Sequence, residues 1–192
     1  LLGLGVQPKN RVAIALPRGN EAATVIYAVL TIGAVYVPLD ITNPDLRLKN
    51  ILIDSSTILV IGLGEKKNWC ADDVIWFSFK DLKNLTYQKK ICSVHKSSSS
   101  DLAAILYTSG SNGTPKGVAL SHGAMCSFAD WAGKTFTVTE KDRIASLSPF
   151  YFDLSVFDLF TSLRFGASVY YMPNELIFSP IEIVKWLKNN IL

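Results

Sequence analysis

The chain has 192 residues, of which 49% are hydrophobic and 18% charged, with a net charge of +3. That length and balance describe a globular protein of one domain or two, and they exclude a disordered chain. The weak positive charge excludes a nucleic-acid face, since Lys66-Lys67 and Lys89-Lys90 are isolated pairs in polar stretches and read as solvated surface.

Residues 11–16 read as a short buried strand, and Asn20 as the cap of a helix that runs to about Ile32 and stops at Gly33. Residues 34–39 are strand-like. Residues 44–54 predict an amphipathic helix with Leu46, Leu48, Ile51 and Leu52 largely on one side. Residues 57–61 and 74–77 are rich in β-formers. The whole stretch 62–100 is nevertheless polar and weakly patterned, closes on Ser97-Ser98-Ser99-Ser100, and reads as a variable surface excursion. Residues 102–107 form an apolar strand that runs into a glycine-rich loop. A helix is expected from about Ser121, a strand near 144–147, a helix near 155–163 and a strand over 167–171. Residues 180–190 show helical spacing of Ile181, Val184, Trp186 and Leu187. Asn190-Ile191-Leu192 looks like the start of another strand, so truncation at this end is expected. Alternation of this kind indicates an α/β fold with sheets flanked by helices.

No apolar run reaches the roughly 18–20 residues that cross a bilayer. The densest, residues 22–39, is broken by Thr24, Thr31, Gly33 and Pro38 and reads as a buried helix followed by a strand. No basic leader opens the chain, so no signal peptide is read, and the lack of an initiating Met points to a start upstream. Cys70, Cys92 and Cys126 are odd in number and far apart, with no Cys-x-x-Cys pair. Reduced thiols in a cytoplasmic protein follow, rather than disulfides or zinc. His95 and His122 are the only histidines, which excludes a histidine-rich metal cluster.

The most informative stretch is Tyr107-Thr108-Ser109-Gly110-Ser111-Asn112-Gly113-Thr114-Pro115-Lys116-Gly117. Glycines such as Gly110 and Gly113 let backbone N–H groups converge on one point as an anion-binding nest. The hydroxyls of Thr108, Ser109, Ser111 and Thr114 add donors, and Lys116 adds a positive charge, a set suited to a polyphosphate. A generic Gly/Ser stretch is more often a flexible turn with an exposed lysine. Pro115 and the position directly after an apolar strand argue against that here. Nor is it a P-loop, which needs glycine before the lysine and Ser or Thr after it.

The string resembles the phosphate-binding signature of the adenylate-forming superfamily: acyl-CoA synthetases, luciferases and the adenylation domains of nonribosomal peptide synthesis. The family's usual Thr is replaced by Asn112, which keeps a polar side chain but loses the hydroxyl, so somewhat altered ATP handling is expected. Gly33-Ala34-Val35-Tyr36-Val37-Pro38-Leu39-Asp40, followed by Arg47-Leu48 and Ile51-Leu52-Ile53-Asp54, resembles an early core motif of peptide-synthetase adenylation domains and reads by itself as packing. The resemblance implies that residues 1–192 are an incomplete N-terminal portion of an AMP-binding (adenylation) domain, within its large subdomain.

A third match concerns Phe152-Asp153-Leu154-Ser155-Val156-Phe157-Asp158-Leu159-Phe160. An acid among aromatics is costly to bury unless it meets a cation or several donors. Asp153 or Ser155 could cap the following helix, and that role is kept for Ser155. For Asp153 the resemblance implies pairing with the α-ammonium group of an amino-acid substrate, a residue that fatty-acid and aryl-acid members generally lack. Leu154 and Phe157 would line the side-chain pocket. Asp158 reads as surface or helix-terminus charge. Asp153-Leu154-Ser155-Val156 and Ser127-Phe128-Ala129-Asp130-Trp131 are similar to free-standing ligases that load D-alanine or L-proline onto a carrier protein.

The implied chemistry is attack of the amino-acid carboxylate on the α-phosphate of ATP, with Mg2+ as cofactor, then transfer of the aminoacyl group to the phosphopantetheine thiol of an acyl or peptidyl carrier protein. The substrate is its own nucleophile, so the enzyme contributes positioning and charge stabilisation. Residues 108–116 would hold the β- and γ-phosphates, with Lys116 as the catalytic charge. Neither nucleic acid nor membrane is an expected partner. The family's later motifs, which grip adenine, ribose and magnesium, have no counterpart here, so no metal ligand is assigned and the segment alone is expected to be inactive. The rival readings are an acyl- or aryl-CoA ligase, against which Asp153 argues, and a non-catalytic remnant.

Overall fold

Val12-Ala13-Ile14-Ala15 contains no polar side chain, and such a run is stable only in a strand covered on both faces. The computed structural model describes residues 1–84, 94–109 and 115–191. It divides into two compact units, Leu1–His122 and Gly123–Leu192. In the first, that run forms β1 (Arg11–Ala15), joined by β2 (Val35–Pro38), β3 (Thr57–Gly62), β4 (Ile75–Ser78), β5 (Leu102–Ser109) and β6 (Pro115–Ser121). The six strands lie in the order β4-β3-β1-β2-β5-β6, parallel except for β6, which runs antiparallel to β5.

Helices α1 (Asn20–Thr31) and α2 (Asp45–Asp54) are crossover connections that leave β1 and β2 in opposite directions along the sheet. Right-handed crossovers of that kind cover opposite faces. Leu48, Ile51 and Leu52 of α2 are buried with Ala13, Ala15, Val37, Leu39 and Val60. By the two-residue alternation of a strand, Val12, Ile14, Tyr36, Leu59 and Ile61 are left for the α1 face, and all five are buried.

Several expectations are corrected. Asn20 is the first residue of α1, and the cap position is Gly19, without a side-chain cap. Leu46, expected with the packed residues, is 71% exposed; helical rotation sets it away from the face shared by Leu48, Ile51 and Leu52. Residues 62–100 are in part core: β4 forms one edge of the sheet and leads into α3 (Phe79–Asn84), while Trp69, Cys70 and Val74 are buried in the α2 cluster. Lys66 is exposed as expected, and its ammonium also donates to the carbonyl of Val74 at 2.9 Å. Cys70 is buried, which pushes its thiol pKa up, and Cys126 is exposed; both are unbridged.

In the second unit, β7 (Arg143–Ser146) and β8 (Ser168–Tyr171) form a parallel pair. Around them lie α4 (His122–Thr135, beginning at the last residue of the first unit), a π-helical turn (Phe157–Thr161), α5 (Ser162–Phe165) and α6 (Pro180–Asn190). Gly133 of α4 admits the Phe165 ring so closely that a Cβ there would fall 2.0 Å from it, and Asp130 pairs with Arg164. Helix α6 starts at the cap Ser179, whose hydroxyl accepts from the N–H of Glu182. Its spacing is helical as expected, but none of its residues is buried, and Ile191 ends the helix as its cap rather than opening a strand. Among the described residues no helix is long and apolar enough to cross a membrane.

Gly33 closes α1 with φ +73°, and a Cβ there would stand 2.2 Å from Cδ2 of His95. Gly33→Ala is therefore expected to cost at least about 1–2 kcal/mol from the left-handed backbone alone, read as a lowered urea midpoint.

Nε2 of His122 is buried without a hydrogen-bond partner among the described residues. Burial holds its pKa below the ordinary value, against the pull of Asp101 and with a smaller push from His95. The unfolded chain then takes up this proton first as pH falls, so the contribution is complete above about pH 6.5 and is lost as pH drops through the folded value. His122→Gln should flatten the loss of stability below about pH 6.5, measured as denaturation midpoint against pH.

Candidate functional site

The glycine-rich stretch is flanked by an antiparallel strand pair, β5 and β6. Thr108 lies opposite Lys116 and Ser109 opposite Pro115, so the chain reverses between Ser109 and Pro115. Gly110, Ser111, Asn112, Gly113 and Thr114 lie outside the described residues. Lys116, expected on the loop, sits instead in β6. Cross-strand partners project to the same face, which places the side chains of Thr108 and Lys116 together, and both residues are exposed. The Thr108 hydroxyl donates to the Lys116 carbonyl at 3.4 Å. The Lys116 ammonium has no ion-pair partner among the described residues.

Helix α2 braces the root of this hairpin. Nη2 of Arg47 donates to the Thr108 carbonyl at 3.3 Å, and the Tyr107 hydroxyl donates to Oδ2 of Asp54 at 2.5 Å. Burial first, and then the Asp54 carboxylate, push the Tyr107 phenol pKa up. Across the ladder from Tyr107 stands Gly117, where a Cβ would lie 2.9 Å from Cγ2 of Ile105 and 3.1 Å from the Tyr107 ring. The core motif assigns Arg47 and Asp54 to packing alone; the available signal is their seven-residue spacing, which puts two polar groups on one side of a helix.

The second cluster follows β7. Ser155 is fully buried, and its hydroxyl donates to the carbonyl of Phe152 at 2.6 Å and lies 3.2 Å from that of Phe150. It therefore does not cap the helix, because it donates to carbonyls instead of accepting from N–H groups. With that knot below them, Phe152, Asp153 and Leu154 all project into solvent. The Asp153 carboxylate accepts no hydrogen bond and forms no ion pair among the described residues. Phe157 is half-buried, with its ring edge-on to Phe136 at 5.8 Å.

Asp158, expected at the surface, is only 8% exposed. It shares one helical face with Ser155, Leu159 and Ser162, all buried, at the i, i+3, i+4, i+7 spacing that a helix turns inward together. Its carbonyl accepts the Ser162 hydroxyl. Among the described residues no group of three or more His, Cys, Asp or Glu side chains is placed to hold a metal ion.

A family model described as AMP-binding enzyme matches residues 1–190. The chain belongs to that family. An L-proline–[L-prolyl-carrier protein] ligase of Pseudomonas fluorescens is 33% identical over 202 residues, covering 99% of this chain and 40% of that protein. Tyrocidine synthase 1 of Brevibacillus parabrevis is 32% identical, covering 100% of this chain and 18% of that protein. The chain thus spans less than half the length of these curated relatives. The N-terminal subdomain of Klebsiella oxytoca NpsA, in complex with 3-hydroxyanthranilyl-AMSN, is similar with a TM-score of 0.86 at 22% identity, covering 100% of this chain and 47% of that one. O-succinylbenzoate coenzyme A synthetase from Bacillus subtilis, in complex with AMP, gives 0.87 at 20% identity, with 98% and 49% covered. Those structures establish the fold: this AMP-binding enzyme chain has the mixed α/β architecture of the N-terminal subdomain of adenylate-forming enzymes.

Proposed function

We propose that this chain is the N-terminal portion of a longer adenylation domain that activates a small amino acid as its adenylate and passes it to the phosphopantetheine thiol of a carrier protein. The carboxylate oxygen attacks the α-phosphorus of ATP, the bond to the β-phosphate breaks, and pyrophosphate leaves. The thiol then takes the acyl carbon and AMP departs. Thr108, Ser109, Gly110, Ser111, Gly113, Thr114 and Lys116 hold the β- and γ-phosphates. Asp153 holds the ammonium, and Leu154 and Phe157 face the substrate side chain. Mg2+ accompanies ATP, and no described residue is assigned to it.

The observation that carries this reading is the state of Asp153. A carboxylate that caps no helix and meets no cation among the described residues has no structural task there, and a substrate ammonium supplies a partner. Among the relatives, the similarity to a protein named for L-proline and its carrier supports a small substrate.

In the intact enzyme carrying this segment, Lys116→Ala should slow ATP–pyrophosphate exchange by about 2.7–4 kcal/mol of transition-state stabilisation. The melting temperature should hold, because the side chain is exposed. Unchanged kinetics would return Lys116 to plain surface.

Asp153→Ala should lower kcat/KM for the amino acid by about 2–5 kcal/mol, roughly thirty- to several-thousand-fold. An analogue without the α-amino group should lose little. Equal losses on both substrates would remove the ammonium assignment and favour an acyl- or aryl-CoA ligase.

A further inference from the structure

We propose that Arg47 is a positioning residue of the phosphate site, fastening the root of the glycine-rich hairpin to α2; this rests on the adenylation reading above. Helix α2 does not need Arg47 for its packing, since Leu48, Ile51 and Leu52 already bury its apolar face in the sheet. Two polar residues nevertheless reach consecutive positions of β5. Asp54 takes the Tyr107 hydroxyl, and Arg47 grips the Thr108 carbonyl. Seven residues separate Arg47 from Asp54, just under two helical turns, so both lie on one side about 10.5 Å apart along the axis.

The two bonds differ in kind. The Tyr107 link lies over the sheet and ties β5 to the end of α2. The Arg47 link ends on the last backbone carbonyl before Ser109, opposite Lys116, where β5 gives way to the loop. Arg47 is not optimised for adhesion there. Its Nε is buried and has no hydrogen-bond partner among the described residues, a placement that costs stability. A guanidinium kept at that cost, one strand position from the loop, brings a fixed positive charge and a rigid donor to the root of the site. Holding Thr108 also holds its ladder partner Lys116 in place before ATP arrives, which is how preorganised charge stabilisation acts.

The test uses the intact enzyme with Arg47→Met, Arg47→Lys and Tyr107→Phe, reading amide hydrogen exchange, KM for ATP, KM for the amino acid and the melting temperature. Arg47→Met should raise exchange in peptides spanning 107–116 by about tenfold while peptides from β1 and β3 hold. It should raise KM for ATP about fivefold or more and leave KM for the amino acid within about twofold. Arg47→Lys should recover part of both effects. Tyr107→Phe should lower stability and leave KM for ATP within about twofold. The proposal is overturned by wild-type exchange over 107–116 in Arg47→Met, by equal shifts in both KM values, or by a Tyr107→Phe variant that behaves like Arg47→Met. Wild-type enzyme that shows no ATP–pyrophosphate exchange would instead sink the adenylation reading, and Arg47's role toward phosphate with it, whatever the amide exchange shows.

Discussion

The antiparallel pairing of β5 with β6 is the constraint on which both flanks of the glycine-rich stretch depend. Strand β5 is held on one side by β2, in parallel at Tyr36 and Ala104, and on the other by β6 along its length. Ser109 and Pro115, which flank the glycine-rich stretch, are therefore both held in paired strands. The pairing also explains the chemistry of β6. Proline lacks the N–H of a ladder and is tolerated at the start of an edge strand, which is where Pro115 stands. Gly117 is required on different grounds, because the Tyr107 ring and Ile105 occupy the space of its side chain.

The same pairing fixes α2. With the Tyr107 ring lying over Gly117, its hydroxyl is delivered to Asp54, and the neighbouring Thr108 carbonyl to Arg47. The apolar side of the helix sets its distance from the sheet. Its polar side sets its register along β5. At the far end, Ser55 completes the helix by donating to the Ile51 carbonyl while its own carbonyl accepts from Arg11 of β1. Core, helix and strand pair are thus tied to one another through α2.

In the second unit two aspartates five residues apart meet opposite fates. Ser155, buried and bonded back to the preceding carbonyls, folds the chain under itself and leaves Asp153 in water. The inward face of the following helical segment then carries Asp158 inside with Leu159 and Ser162. An acid in water with no partner among the described residues costs little to keep. One inside must be compensated within the fold.

The sequence by itself determined the α/β class, the strands β1, β2, β3 and β5 to within two residues, and the helices α1, α2 and α6. Their signals are local: unbroken apolar runs for strands buried on both faces, and a 3.6-residue period for helices. It also determined the family, through short strings around Gly33, Lys116 and Asp153. Strand β6 was decided only by tertiary structure, because Pro115 and Gly117 lower local strand propensity and the pairing with β5 overrides it. The burial of Trp69 and Cys70 was likewise decided by what each residue packs against. So was the grip of Arg47 on Thr108, a bond across 61 residues that no periodicity can announce, since period reports which way a side chain points and only the folded chain supplies its partner.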